Sequence, residues 1–190
     1  MSLVVLGVGA ERLEVESIHL NEVESRAASE SEAQITAGRA VLAKLFAAVE
    51  SAWNDKDAWR RAKDVTAPYV ADKMITQDQA DTLVAAVTSP AARASLPYDP
   101  AVFLRQVKVP VLAISGSLDL AVPPCENFPL LHQALADDRD LALVELPGLN
   151  HLFQHAMTGT SEEAKKLSEP ALANGEMLKI IADWVDKRAH

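Results

Sequence analysis

The sequence predicts an α/β fold in which a small parallel sheet of about three strands is combined with a block of helices. Three observations lead there. Short apolar runs at Leu3–Val8, Val109–Ser115 and Leu141–Leu146 show the continuous hydrophobicity of strands buried on both faces. Helical patterns separate and follow the last two runs, and strands that alternate with helices pair in parallel. Between the first run and the second lies a long stretch, from about Glu11 to Thr88, whose apolar residues recur at helical spacing.

Taken in order, the run Leu3-Val4-Val5-Leu6-Gly7-Val8 carries neither charge nor proline, so it is not built as a free edge strand. In a three-stranded sheet its open side would seek a second copy of the chain or another partner. Ser29-Glu30-Ser31-Glu32 suggests a capping box between Ser29 and Glu32. The helix it opens places Ala37, Val41, Leu45 and Val49 on one stripe, with Leu42 and Phe46 beside it. Asp55 to Lys63 and Gln77 to Val87 read as two further helices. Ser89-Pro90 and Leu96-Pro97-Tyr98-Asp99-Pro100 punctuate the end of the region. After the second strand, Asn127 to Ala136 reads as a helix that turns Leu130, Leu131, Ala134 and Leu135 inward. After the third, Glu176 to Lys187 reads as a terminal helix with Met177, Ile180, Ile181, Trp184 and Val185 at i, i+3, i+4, i+7 and i+8. No internal repeat or low-complexity segment interrupts this order.

The bulk numbers narrow the function classes. At 190 residues, 49% hydrophobic and 24% charged, the chain has the composition of an ordinary globular domain. Its formal net charge of −9 argues against nucleic acid and against anionic membrane surfaces, both of which call for a basic face. No apolar run has the length of a bilayer span. The segment from Ser2 to Gly9 is short, lacks a basic flank and runs into Glu11, Glu14 and Glu16, so it does not read as a signal peptide, and a cytoplasmic location is favoured. Cys125 is the single cysteine, which excludes an intrachain disulfide and suits a structural rather than a reactive role. No metal-binding spacing is present, and no cofactor is expected.

Two loops carry chemistry. Asp119 follows the second strand in Ser115-Gly116-Ser117-Leu118-Asp119, and His151 follows the third in Pro147-Gly148-Leu149-Asn150-His151. The carboxyl ends of parallel strands are where catalytic groups collect. One strand–helix–strand unit separates the two loops, which sets them side by side. A carboxylate beside a histidine holds one imidazole tautomer and stabilises the imidazolium, so His151 can serve as a general base towards a hydroxyl. Taken alone, Asp119 also suits a turn or a helix cap, and His151 an exposed loop. Ser117 lies too close to Asp119, with no strand–elbow–helix pattern around it, to qualify as a nucleophile. His19, His132, His155 and His190 read as solvent or helical-region histidines.

These segments carry a resemblance. Tyr98-Asp99-Pro100, Val107 to Leu112, Gly116-Ser117-Leu118-Asp119-Leu120-Ala121-Val122-Pro123-Pro124 and Leu146-Pro147-Gly148-Leu149-Asn150-His151-Leu152-Phe153-Gln154, with Met157-Thr158-Gly159-Thr160 and the terminal helix, resemble bacterial α/β-hydrolases of the serine-aminopeptidase-like and dipeptidyl-aminopeptidase-like esterase type. The resemblance implies that 1–9 is the sheet strand following the nucleophile segment, 10–97 a helical lid shaping an acyl pocket, and 98–190 the C-terminal hydrolase core. It implies Asp119 as triad acid and His151 as triad base, acting on carboxylic esters or small acyl and amide substrates. The family's serine sits in a G-x-S-x-G turn, and these 190 residues contain none. The expectation is therefore a hydrolase fragment that is inactive alone. The alternative is a non-catalytic, hydrolase-derived binding module that pairs with another chain.

Overall fold

The computed structural model describes residues 2–136 and 140–188, so His190 lies outside the described residues. Nine helices and three strands occur among them, grouped in two compact units, 12–98 and 1–11 with 99–190. In chain order, strand β1 (Leu3–Leu6) is followed by five helices: α1 (Leu13–Ala27), α2 (Glu32–Glu50), α3 (Asp55–Ala71), α4 (Gln77–Val87) and α5 (Pro90–Ser95). Then come α6 (Pro100–Leu104), β2 (Val111–Gly116), α7 (Pro124–Ala134), β3 (Leu141–Leu146), α8 (Ser161–Ala164) and α9 (Gly175–Asp186).

The helical unit is defined largely by local signals. Ser31, not Ser29, caps α2: its Oγ accepts from the Gln34 N–H, and the Gln34 side chain accepts from the Ser31 N–H. Ser29 instead closes α1 in the left-handed region, at φ 61°. There the Glu30 N–H reaches the Ser25 carbonyl and the Ser29 N–H reaches that of Arg26, so the orphan carbonyls of α1 outcompete the expected cap. Thr76 and Gln79 form a second capping box at α4, and Asn54 caps α3. α3 runs through Pro68 to Ala71 rather than stopping near Lys63. A proline costs a helix one hydrogen bond, but Val65 and Tyr69 pack on the core cluster of Val41, Leu42, Leu45, Phe46, Val49, Ala58 and Ala62, and that burial carries the helix past it.

In the other unit, β2 lies between β1 and β3 and is parallel to both, with Leu3 beside Val111 and Val111 beside Leu141. All six residues of β2 are buried. Alternation divides the core. Leu112, Ile114 and Leu146, with Val4, Leu6, Ala142 and Val144, share one cluster with Met177 and Trp184 of α9. Val111 and Ala113, with Leu3, Val5, Leu141 and Leu143, share the other with Leu131 and Leu135. β1 ends at Leu6, two residues short of the expected run, because Gly7 turns at φ 54°. α7 begins at Pro124 rather than Asn127, since a proline's fixed φ and missing N–H suit a first helical turn. Val185, expected inside, is 38% exposed, and Cys125 is exposed rather than packed. No helix among the described residues is long and apolar enough to cross a membrane.

Two outcomes follow. Leu45 is fully buried, so Leu45→Ala is expected to cost about 2–5 kcal/mol in chemical denaturation. Leu3 and Gly7 donate their N–H groups inward to Pro110 and Ile114, so in a parallel ladder those of Val4 and Leu6 point to the outer edge, where no strand pairs among the described residues. The chain is therefore expected to associate as concentration rises in sedimentation, and Val4→Pro to weaken that association. A monomer at every concentration would count against it.

Candidate active site

The loops after β2 and β3 interlock. Ser117 N–H donates to the Leu146 carbonyl at 2.8 Å and Leu118 N–H to that of Leu149 at 2.9 Å. In return, Gly148 N–H donates to Ser117 Oγ at 2.8 Å. The approach is close enough that a Cβ on Gly116 would lie 2.1 Å from the Leu149 carbonyl oxygen, which restricts that position to glycine. Ser117, weighed above against a nucleophilic role, thus ties one loop to the other.

Asp119 is 1% exposed. Its Oδ1 accepts from the N–H groups of Ala121 at 3.0 Å and Val122 at 2.8 Å. Its Oδ2 lies 2.9 Å from His151 Nδ1 and 3.5 Å from Ser115 Oγ. The residue is at once a turn former and the partner of a histidine, one oxygen for each role. With Nδ1 as the donor to this carboxylate oxygen, the basic lone pair of the neutral ring lies on Nε2. The His151 side chain is 45% exposed, so the ring joins a buried acid to solvent.

The histidine loop is held from within. Asn150 is buried, and its Oδ1 accepts from the N–H groups of Leu152 at 2.9 Å and Gln154 at 3.0 Å. Asn150 N–H returns to the Gln154 carbonyl, and Phe153 N–H to the Asn150 carbonyl. Phe153 adopts φ 58° while 1% exposed, so burial of its ring outweighs a left-handed conformation that costs an ordinary residue about 1–2 kcal/mol. Gln154 Nε2 donates to the Glu169 carbonyl at 2.5 Å, and Leu172 N–H to the Leu152 carbonyl at 2.9 Å, so the segment 169–172 straps the loop. The His155 N–H and then its ring hold the Glu169 carboxyl below its ordinary range.

Sequence reasoning singled out Asp119 and His151, and the structure brings them together. It missed Asn150, Gln154 and Glu163. For Asn150 and Gln154 the only signal was a polar side chain inside a loop otherwise rich in apolar residues, and Glu163, in α8, carried none. Among the described residues, no group of three or more His, Cys, Asp or Glu side chains gathers as metal ligands would. No protein-family model, curated protein or solved structure matches this chain. The chemistry therefore rests on the geometry: a buried carboxylate fixes the tautomer and plane of an imidazole placed to accept a proton at Nε2 and return it.

Glu163 offers a check on this scaffold. It accepts from the Thr158 hydroxyl at 2.6 Å and from the N–H groups of Met157, Thr158 and Gly159 at 2.8–2.9 Å. The Thr158 hydroxyl first, then those backbone donors, hold its carboxyl down at about 2, from an ordinary 4.5. A lowered folded-state pKa adds stability that is complete above the unfolded value and lost as pH falls through the folded one. Glu163→Gln is thus expected to lower the melting temperature above pH 4.5, and the gap from the parent to close as pH approaches about 2. A gap that stays constant with pH would assign Glu163 no such role.

Proposed function

We propose that this chain carries the acid and the histidine of a serine-hydrolase triad acting on carboxylic esters or small acyl compounds. Asp119 orients His151, and His151 activates a serine hydroxyl contributed from outside these 190 residues. The observation that carries the reading is the 2.9 Å bond between His151 Nδ1 and a carboxylate that is otherwise buried, at the carboxyl ends of adjacent parallel strands. The resemblance of the flanking segments to serine-aminopeptidase-like and dipeptidyl-aminopeptidase-like esterases supports it. So does the open outer edge of β1. A further parallel strand paired there would deliver its C-terminal turn beside Gly7, which lies against the histidine ring.

In this reading the serine attacks the acyl carbon while His151 Nε2 takes its proton. The imidazolium, balanced by Asp119, then returns that proton to the leaving group. Water repeats the cycle to release the acid and restore the serine. The donors that stabilise the oxyanion belong with the nucleophile segment.

The test is reconstitution. Alone, the chain is expected to hydrolyse p-nitrophenyl acetate no faster than free imidazole at equal concentration. With a strand–turn–helix segment bearing a G-x-S-x-G serine, encoded beside it or on a partner, the complex is expected to react with a fluorophosphonate at that serine. His151→Ala should then reduce turnover by about 10⁶ and Asp119→Asn by about 10⁴. Turnover by the 190-residue chain alone that His151→Ala abolishes would overturn the division of the triad.

The unpaired edge of β1 also favours a second reading, a binding module that adds a partner's strand and does no chemistry. It predicts that the double variant Asp119→Ala, His151→Ala binds the partner as the parent does and keeps the biological activity.

A further inference from the structure

Strand β1 ends against the Asp119–His151 pair. Gly7 continues the ladder, its N–H donating to the Ile114 carbonyl at 2.9 Å, and then turns at φ 54°. A Cβ at this position would lie 3.2 Å from both Cε1 and Nδ1 of His151 and 3.4 Å from Oδ2 of Asp119. Those are three atoms of a single structure, the hydrogen bond and the ring edge beside it. The segment that follows is fastened at its far end. Ala10, itself buried, gives its N–H to Asn127 Oδ1 at 3.1 Å. Asn127 is 2% exposed and donates its Nδ2 to the Pro123 carbonyl at 3.3 Å, at the start of α7. The backbone from 7 to 10 is thus pinned to β2 at one end and to α7 at the other.

We infer that Gly7 is a positioning residue for His151, and that the Asn127-anchored segment 7–10 is the wall against which the imidazole is held in line with the Asp119 carboxylate. The ring occupies the space that a side chain at 7 would fill. A Cβ there is tighter than nine in ten real Cβ contacts, so a neighbour must give way. The ring would have to swing or slide by a few tenths of an ångström, and the carboxylate behind it is already held by two backbone N–H groups. The hydrogen bond to Nδ1 is the part that gives. The same wall covers one side of that bond against water, which strengthens it. The inference rests on Asp119 and His151 forming a hydrogen-bonded pair. It does not require that the pair perform hydrolysis.

Glycine at 7 also serves a left-handed turn, so crowding must be separated from backbone strain. Gly148 provides the control. It is left-handed too, at φ 71°, and sits in the histidine loop, but a Cβ there meets nothing within 4 Å. Gly148→Ala therefore adds the strain without the contact, and Gly7→Ala adds both.

The experiment is nitrogen-15 histidine NMR on the full 190-residue chain, with the His151 Nδ1–H resonance assigned by its absence from His151→Ala. The parent and Gly148→Ala are expected to show that resonance in slow exchange with water. In Gly7→Ala it should vanish or exchange at least about tenfold faster, while the backbone amide spectrum away from the site stays that of the parent. Asn127→Ala, which loosens the wall without adding an atom near the ring, is expected to speed exchange by about threefold. It keeps the test decisive if Gly7→Ala fails to fold. Parent-like exchange in a folded Gly7→Ala would overturn the inference, as would equal acceleration in Gly148→Ala, which would assign the effect to strain. If Gly7→Ala does not fold, parent-like exchange in Asn127→Ala overturns it. Absence of the resonance from the parent would overturn the pair itself, and with it the proposed triad. Failure of the reconstituted hydrolysis alone would leave Gly7's role standing.

Discussion

The carboxylate of Asp119 lies where water does not reach it. An uncompensated carboxylate in such a place costs several kcal/mol, so the surrounding chain must bring donors to it. Two come from the backbone just ahead, at Ala121 and Val122, and Oδ2 has a ring nitrogen from the next loop and, farther off, the Ser115 hydroxyl. That requirement shapes both loops. The first must curl back on itself directly after β2, and the second must present a histidine rather than let it drift into solvent. Parallel pairing makes the meeting possible, because it brings the carboxyl ends of β2 and β3 to the same end of the sheet.

Several close contacts in this unit then serve the same pair. Gly116 permits backbone contact where no side chain fits, Phe153 accepts a left-handed conformation to bury its ring, and Gly7 leaves the space taken by the imidazole. Each is held by packing or hydrogen bonds around it. Close backbone packing and a left-handed phenylalanine beside one pair of polar side chains show where this unit gives up local stability for arrangement.

The helical unit follows a different logic. Four of its five helices begin at side-chain caps, on Ser31, Asn54, Thr76 and Ser89, and its core is a stripe of α2 set against α3 and α4. Long-range polar contacts add to it, with Arg12 reaching Glu50 and the Leu96 carbonyl, and Arg39 pairing with the buried Glu22. Nearest-neighbour chemistry and helical periodicity account for most of it, which is why the bounds of α4 could be read directly and those of α3 only as far as the point where packing overrides a proline.

The sequence by itself determined the three strands, the helices α2, α3, α4, α7 and α9, the parallel alternation and the two loops that carry Asp119 and His151. These depend on composition within a few residues, where periodicity and turn chemistry act. It also placed the inward stripe of α2 and the bounds of β3. Tertiary structure decided the rest. The choice of Ser31 over Ser29 turned on how α1 ends, and the run of α3 past Pro68 on what Val65 and Tyr69 could bury. Gln154 finds the Glu169 carbonyl in a later segment, and Gly7 meets His151 from a distant part of the chain. Contacts between residues far apart in sequence leave no periodic trace in it, so the wall around the pair became visible only once the sheet had brought its pieces together.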